Sequence, residues 1–170
     1  MPGARPSEHR RLAAVTRRSA ALLPFAMGCA LWGAGMGRAG AASLATPESL
    51  ATALAAALRA GQPLVVMASL DGCPFCKVVR DNFLAPLRRD DGLPVVQLDM
   101  GSRKAVADFR GVAATHDQLL RQWGVRVAPT VLFFGRDGHE AAQRLVGASI
   151  PDFYGAYLDQ RLQAARRALG

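Results

Sequence analysis

The stretch DGCPFCKVV, residues 71–79, places two cysteines three positions apart with only Pro74 and Phe75 between them. Such a pair serves one of three chemistries: exchange of a disulfide with other molecules, metal binding, or a static staple. The flanking residues bear on the choice. PLVVMASL, residues 63–70, is a short apolar run that reads as a fully buried strand. Beyond the pair, Val78, Val79, Phe83 and Leu84 recur at helical spacing. Pro74 suits the first helical turn, where its missing N–H costs no hydrogen bond. Cys73 therefore falls where a buried strand hands over to a helix.

That position has chemical consequences. A sulfur at a helix start lies near unpaired backbone N–H groups and the positive end of the helix dipole, and both favour thiolate over thiol. Cys76, one turn further in, is close enough to close a ring with Cys73. The expected division of labour has Cys73 attack a partner's disulfide and Cys76 resolve the mixed disulfide. A static bridge explains the pair poorly, because so small a ring constrains the unfolded chain little. A metal site needs two more ligands. There is no second C-x-x-C, and His116 and His139 fall at an expected helix start and hairpin tip. No metal and no cofactor are expected.

Outward from the pair, the chain alternates helices and strands. ATPESLATALAAALRAGQ, residues 45–62, predicts a helix with Thr46 as cap, Pro47 in its first turn, and Leu50, Leu54, Ala57 and Leu58 on one face. Pro86 is expected to end or kink the helix after the cysteines. LPVVQLD, residues 93–99, is a second buried strand. Residues 101–114 are ambiguous, KAVADF reading as a short helix or a structured loop. In THDQLLRQWG, Thr115 and Gln118 form a capping box, Leu119, Leu120 and Trp123 an apolar face, and Gly124 a stop. A strand begins just after Pro129, Asp137-Gly138 signals a hairpin, and EAAQRLVG returns as an edge strand. The last helix is expected to carry Phe153, Tyr157, Leu158, Leu162 and Ala165. Strands separated by helices predict parallel pairing, and the final hairpin antiparallel pairing. The fold class is α/β, a mixed central sheet of about four strands with helices on both faces.

The formal charge of +8 on 170 residues suggests nucleic acid, but its distribution argues against that partner. Six of the 21 basic residues lie in the first 41 positions; from residue 42 onward, 15 Lys/Arg against 12 Asp/Glu leave only +3. Those basic residues are scattered, without aromatic interleaving. Residues 1–41 read instead as an export signal. A basic segment precedes the uncharged run SAALLPFAMGCALWGAGMG, residues 19–37, and then RAGAAS offers Ala39 and Ala41 as an A-x-A cleavage site. The paired arginines of TRRSAAL hint at twin-arginine export, and the uncharged run is nearly long enough to persist as a membrane anchor. Cleavage after Ala41 removes Cys29. Residues 42–170 then form one domain with two cysteines in an oxidising compartment, where thiol–disulfide chemistry belongs.

Three matches together make this chain resemble the thioredoxin superfamily over about residues 46–168: CPFC after a buried strand, QWGVRVAPTVLFF, and GRDGHEAAQRLVG before a final helix. Within it the chain is most similar to periplasmic thioredoxin-like proteins, including those associated with sulfur-oxidation gene clusters. The resemblance implies that Pro129 is a cis-proline facing the cysteines. Phe75, Ala128, Pro129 and Thr130 would then border the substrate groove. It implies protein thiols and disulfides as substrates, a membrane electron donor or oxidase as redox partner, and a monomeric, periplasmic enzyme. There are departures. Gly72 replaces the usual tryptophan before the first cysteine, and CPFC is closer to the CPYC of glutaredoxins. Met67 stands where the family usually buries an aspartate that deprotonates the resolving cysteine, leaving Lys77, Asp71 or a water to serve. Strong oxidants tend to have a histidine between the cysteines; Phe75 offers no donor, which favours a reductant. The alternative is a non-catalytic binding module or scaffold with an inert disulfide.

Overall fold

Leu64–Ser69 forms the strand β1, buried along its whole length. Its alternate residues feed two separate cores. Val65 and Met67 point to one face of the sheet, Leu64, Val66 and Ala68 to the other. A strand covered on both faces has no polar alternation to show, which is why the run reads as continuously apolar. The computed structural model describes residues 43–148 and 151–170. The proposed export signal, its cleavage site and Cys29 lie outside the described residues.

The sheet has four strands in the order β2-β1-β5-β6, as expected for a mixed sheet. β2 (Val95–Asp99) pairs parallel with β1, placing Met67 beside Gln97 and Ser69 beside Asp99. A second, two-stranded sheet joins β3 (Ala105–Ala107) to β4 (Ala113–Thr115). This hairpin occupies the ambiguous 101–114 segment, where a helix or loop was expected. β5 (Thr130–Phe134) runs antiparallel to β1, although a helix separates it from β2. The parallel expectation fails because the β3–β4 hairpin closes on itself, Asp117 N–H donating to Ser102 O at 3.1 Å, so that the intervening helix α4 (His116–Gln122) starts near the end of β2 and has only seven residues. At 1.5 Å per residue it advances about 10 Å, less than a five-residue strand's ~17 Å, so the chain enters β5 from the end where β2 left. β6 (Glu140–Val146) returns along β5 as an edge strand.

Helix starts follow local chemistry, with one correction. α1 (Leu50–Arg59) begins after Ser49, whose hydroxyl accepts the Thr52 N–H at 3.2 Å. The expected start at Thr46-Pro47 is displaced because that segment is held extended: Ala45 bridges to Val96 and Ser49 to Ala107. At α4 both halves of the capping box form, Gln118 N–H to Thr115 Oγ1 at 3.3 Å and Thr115 N–H to Gln118 Oε1 at 2.9 Å. The cysteine helix α2 (Pro74–Val79) does not end before Pro86. It passes through a π-helical turn, Arg80–Leu84, into α3 (Ala85–Asp90). The wider turn, with Ala85 N–H on Arg80 O, carries the ladder past a residue that has no N–H to give.

α2, α3 and α5 (Pro151–Arg167) cover one face of the sheet, α1 and α4 the other. On α5 the buried stripe is Tyr154, Leu158, Leu162 and Ala165; Phe153 and Tyr157, expected on that face, are exposed. On the other face Trp123 packs against Phe109 and Phe134, with ring centroids 5.8 and 4.9 Å away. Among the described residues no helix is long and apolar enough to cross a membrane.

Candidate active site

Cys73 is the N-cap of α2, in extended conformation with φ −77° and ψ 114°. The turn before it is built locally. Gly72 adopts φ +69°, a conformation that suits glycine, and its N–H is held by Asp71 Oδ1 at 3.0 Å. The Cys73 N–H donates to Leu70 O at 3.2 Å. Pro74 takes the first helical position, as its chemistry predicts. The Cys73 sulfur then occupies the place of an N-cap oxygen and accepts the Cys76 N–H at 3.2 Å. Cys73 is partly exposed, whereas Cys76 is 1 % exposed; both are free thiols.

Opposite the cysteines lies the turn that ends at Pro129. The Ala128–Pro129 bond is cis. Ala128 O stands 4.0 Å from Cys73 Sγ, so the turn presents backbone to the reactive sulfur. Pro129 O is occupied by Gly147 N–H at 2.7 Å, which ties the turn to the end of β6. Thr130 is buried and its hydroxyl donates to Val127 O at 2.7 Å. Its side chain therefore holds the turn from within, while Ala128 faces the cysteines. Phe75 is 55 % exposed beside the pair, and Val127 adds a second exposed apolar side chain.

The surroundings of the resolving thiol shift its titration. Burial pushes the Cys76 thiol up, and its contact with Cys73 adds to this; the Leu70 N–H and the Ser69 hydroxyl pull the other way. Burial also raises the Tyr154 phenol, with the nearby Cys76 contributing. Met67 is wholly buried in the same cluster as Cys76. Each of the two side chains expected to stand in for the family's aspartate has a partner. Lys77 is ion-paired with Asp81, one turn on, and Asp71 caps the Gly72 amide.

On the side away from Pro129, a cleft of about 480 Å³ opens next to Cys73, lined by Ser69, Lys77, Arg80, Gln97 and Asp99 among others. The sequence reading missed this polar set. Its signal was faint but present: Ser69 closes an otherwise apolar strand, and Gln97 and Asp99 alternate along β2 on the face that α2 covers. Gln97 donates to Asp99 Oδ1 at 2.7 Å, and Arg80 to Gln97 Oε1 at 3.4 Å. His116, fully buried on α4, accepts the Asp99 N–H at 3.1 Å through Nδ1; desolvation lowers its pKa, keeping it neutral. Among the described residues no cluster of His, Cys, Asp and Glu is placed to hold a metal.

The family model described as "Thioredoxin-like domain" matches residues 50–162. No curated protein matches the chain. Among solved structures, DsbH oxidoreductase is 21% identical over 76% of this chain and 90% of its own, with a TM-score of 0.50. Thioredoxin O2 from Arabidopsis thaliana in its oxidized state is 16% identical, covering 71% and 96%, at a TM-score of 0.48. The periplasmic thioredoxin SoxS from Paracoccus pantotrophus, in its reduced form, is 19% identical, covering 61% and 99%, at a TM-score of 0.42. With most of its length matched by that family model, on a β2-β1-β5-β6 sheet, this chain belongs to the thioredoxin superfamily.

Proposed function

We propose that the protein is a periplasmic thiol–disulfide oxidoreductase that acts mainly as a reductant of protein disulfides. Cys73 is the nucleophile and Cys76 the resolving thiol. The Cys73 thiolate attacks one sulfur of a partner's disulfide, forming a mixed disulfide and expelling the partner's other thiolate. Cys76, having lost its proton, attacks the Cys73 sulfur; the Cys73–Cys76 bond forms and the second partner thiolate leaves. Two electrons have then passed to the partner, and a membrane electron donor must return the pair to dithiol. The observation carrying this reading is the Cys73 sulfur itself. It belongs to a partly exposed residue, is set at a helix start on the Cys76 N–H, and is faced by Ala128 O. Phe75, Ala128, Pro129 and Thr130 form the substrate face, Thr130 through its backbone. Phe75 donates no hydrogen bond to sulfur, which supports a reducing rather than a strongly oxidising couple.

Export is carried by residues 1–41, whose basic segment, uncharged run and A-x-A site have the layout of a signal; residues 42–170 are the catalytic domain. The test is reduction of a model protein disulfide. Cys73→Ser abolishes it, and Cys76→Ser accumulates mixed disulfides identifiable by mass. Turnover retained in Cys73→Ser ends the proposal. A pair that cannot be reduced by couples in the thioredoxin range identifies an inert binding module instead.

A further inference from the structure

Resolution requires Cys76 to lose a proton, yet Met67 supplies no carboxylate and Cys76 has almost no solvent contact. Ser69 touches both sides of this problem. Alternation along β1 puts it on the Met67 face with Cys76, whose thiol pKa its hydroxyl lowers, and it lines the cleft beside Cys73. Across the parallel ladder its registered neighbour is Asp99, about 4.8 Å away on the same face. The backbone locks the two strand ends together, Met100 N–H donating to Ser69 O at 2.8 Å. Asp99 opens to the same cleft. Gln97 occupies its Oδ1, and among the described residues no donor bonds Oδ2. His116 Nδ1 lies 3.9 Å from Oδ2 but is already filled by the Asp99 N–H, so it orients the residue without donating to the carboxylate.

Resting on the assignment of Cys73 and Cys76 above, we propose that the proton of the resolving cysteine leaves through Ser69 to Asp99, a carboxylate on the neighbouring strand replacing the one absent at Met67. As Cys76 Sγ attacks the mixed disulfide, its proton passes to the Ser69 oxygen. The Ser69 hydroxyl proton moves through cleft water to Asp99 Oδ2. The Cys73–partner bond breaks with its electron pair on the departing thiolate, and the Cys73–Cys76 bond forms. Ser69 acts on the reacting sulfur; Asp99 is a positioning residue and proton sink acting through it. The other charged groups facing this point are Asp71, Lys77 and Arg80 on the cleft, with Lys104 acting on His116 behind it. Lys77 and Arg80 both spend their charge on Asp81, and Arg80 also on Gln97.

An aromatic disulfide with a coloured leaving thiol separates the two steps in a stopped-flow trace. The first phase is Cys73 attack and the second is Cys76 resolution. Asp99→Asn is expected to slow the second phase at least about tenfold at neutral pH, leaving the first within about twofold. The midpoint of its pH profile moves upward as hydroxide takes over. Ser69→Ala gives the same pattern, and Asp99→Glu recovers most of the second-phase rate. An unchanged second phase with superimposable pH profiles overturns the inference. So does equal slowing of both phases, which marks a structural role. Absence of both phases in the unmodified protein fails the oxidoreductase reading itself, a separate result.

Discussion

The amide nitrogen of Cys76 lies 3.2 Å from the sulfur of Cys73. One contact thus does two jobs: it satisfies an orphan donor of the first helical turn, and it places a hydrogen-bond donor on the sulfur where a thiolate forms.

Stability and catalysis at residue 73 can therefore be separated. Cys73→Ser keeps an N-cap acceptor, whereas Cys73→Ala removes it at a cost of about 1 kcal/mol. Thermal unfolding of the reduced protein is expected to place Cys73→Ser close to the parent and Cys73→Ala measurably below it. Both are inactive. Equal melting temperatures for the two variants would show that the sulfur contributes nothing as a cap.

The raised Cys76 thiol makes the stability of the dithiol form depend on pH. The folded state holds its proton above the ordinary thiol value of 9.0, so it binds more protons than the unfolded chain there. The stability this group contributes is fully present below about pH 9 and is lost as pH rises through the folded value. Denaturant titrations across alkaline pH should show the reduced protein losing stability relative to the oxidised one, in which no Cys76 proton exists. The burial that raises Tyr154 acts in both redox forms and cancels in the comparison, whereas the part owed to the Cys76 charge belongs to the dithiol form and adds to its loss. A constant difference across this range would contradict the burial argument.

Much of this site was legible because its signals are local. A proline after a cysteine at the end of an apolar run specifies a helix start. Thr115 and Gln118 specify another three residues apart, and Asp137-Gly138 specifies a turn with both φ values positive, +57° and +70°. What escaped the sequence depends on tertiary partners. The start of α1 moved because Ala45 and Ser49 find β-bridges to Val96 and Ala107, distant in sequence. β5 reversed direction because of how far α4 carries the chain. On α5, Phe153 and Tyr154 are adjacent aromatics, and the more polar Tyr154 is the one buried, packed against Phe83 at a centroid distance of 5.1 Å. Ser69 and Asp99 are ordinary strand-end residues until β1 and β2 are laid in register.

At the hairpin, Gly138 carries two constraints at once. Its φ is +70°, and a Cβ built there meets Phe109 Cγ at 2.6 Å. Phe109 is not free to yield, since it packs against Trp123 and Phe134. Gly138→Ala is expected to cost about 2 kcal/mol or more, from backbone strain plus overpacking. Equilibrium unfolding in denaturant measures it, and active-site chemistry should be untouched because the turn lies at the opposite end of β5 from Pro129. A neutral Gly138→Ala would mean that Phe109 swings away at little cost.

Met67→Asp restores to β1 the carboxylate that the rest of the superfamily leads one to expect, and its outcome follows from the surroundings. Met67 is wholly buried, with Cys76, Val79 and Val131 in the same cluster and Gln97 as its registered neighbour on β2. The substitution removes well-packed apolar volume and adds a polar group with one amide in reach, so stability should fall by about 3 kcal/mol. Desolvation keeps the new carboxyl protonated well above the ordinary carboxylate range. It is a usable base for Cys76 only at the pH where it ionises. In single-turnover resolution Met67→Asp should therefore be no faster than the parent in mildly acidic solution and faster above neutrality. In that background Asp99→Asn should lose most of its effect on the second phase, since a base now lies next to Cys76 itself. Full retention of the Asp99→Asn effect in the double variant would show that the two carboxylates do not serve the same proton.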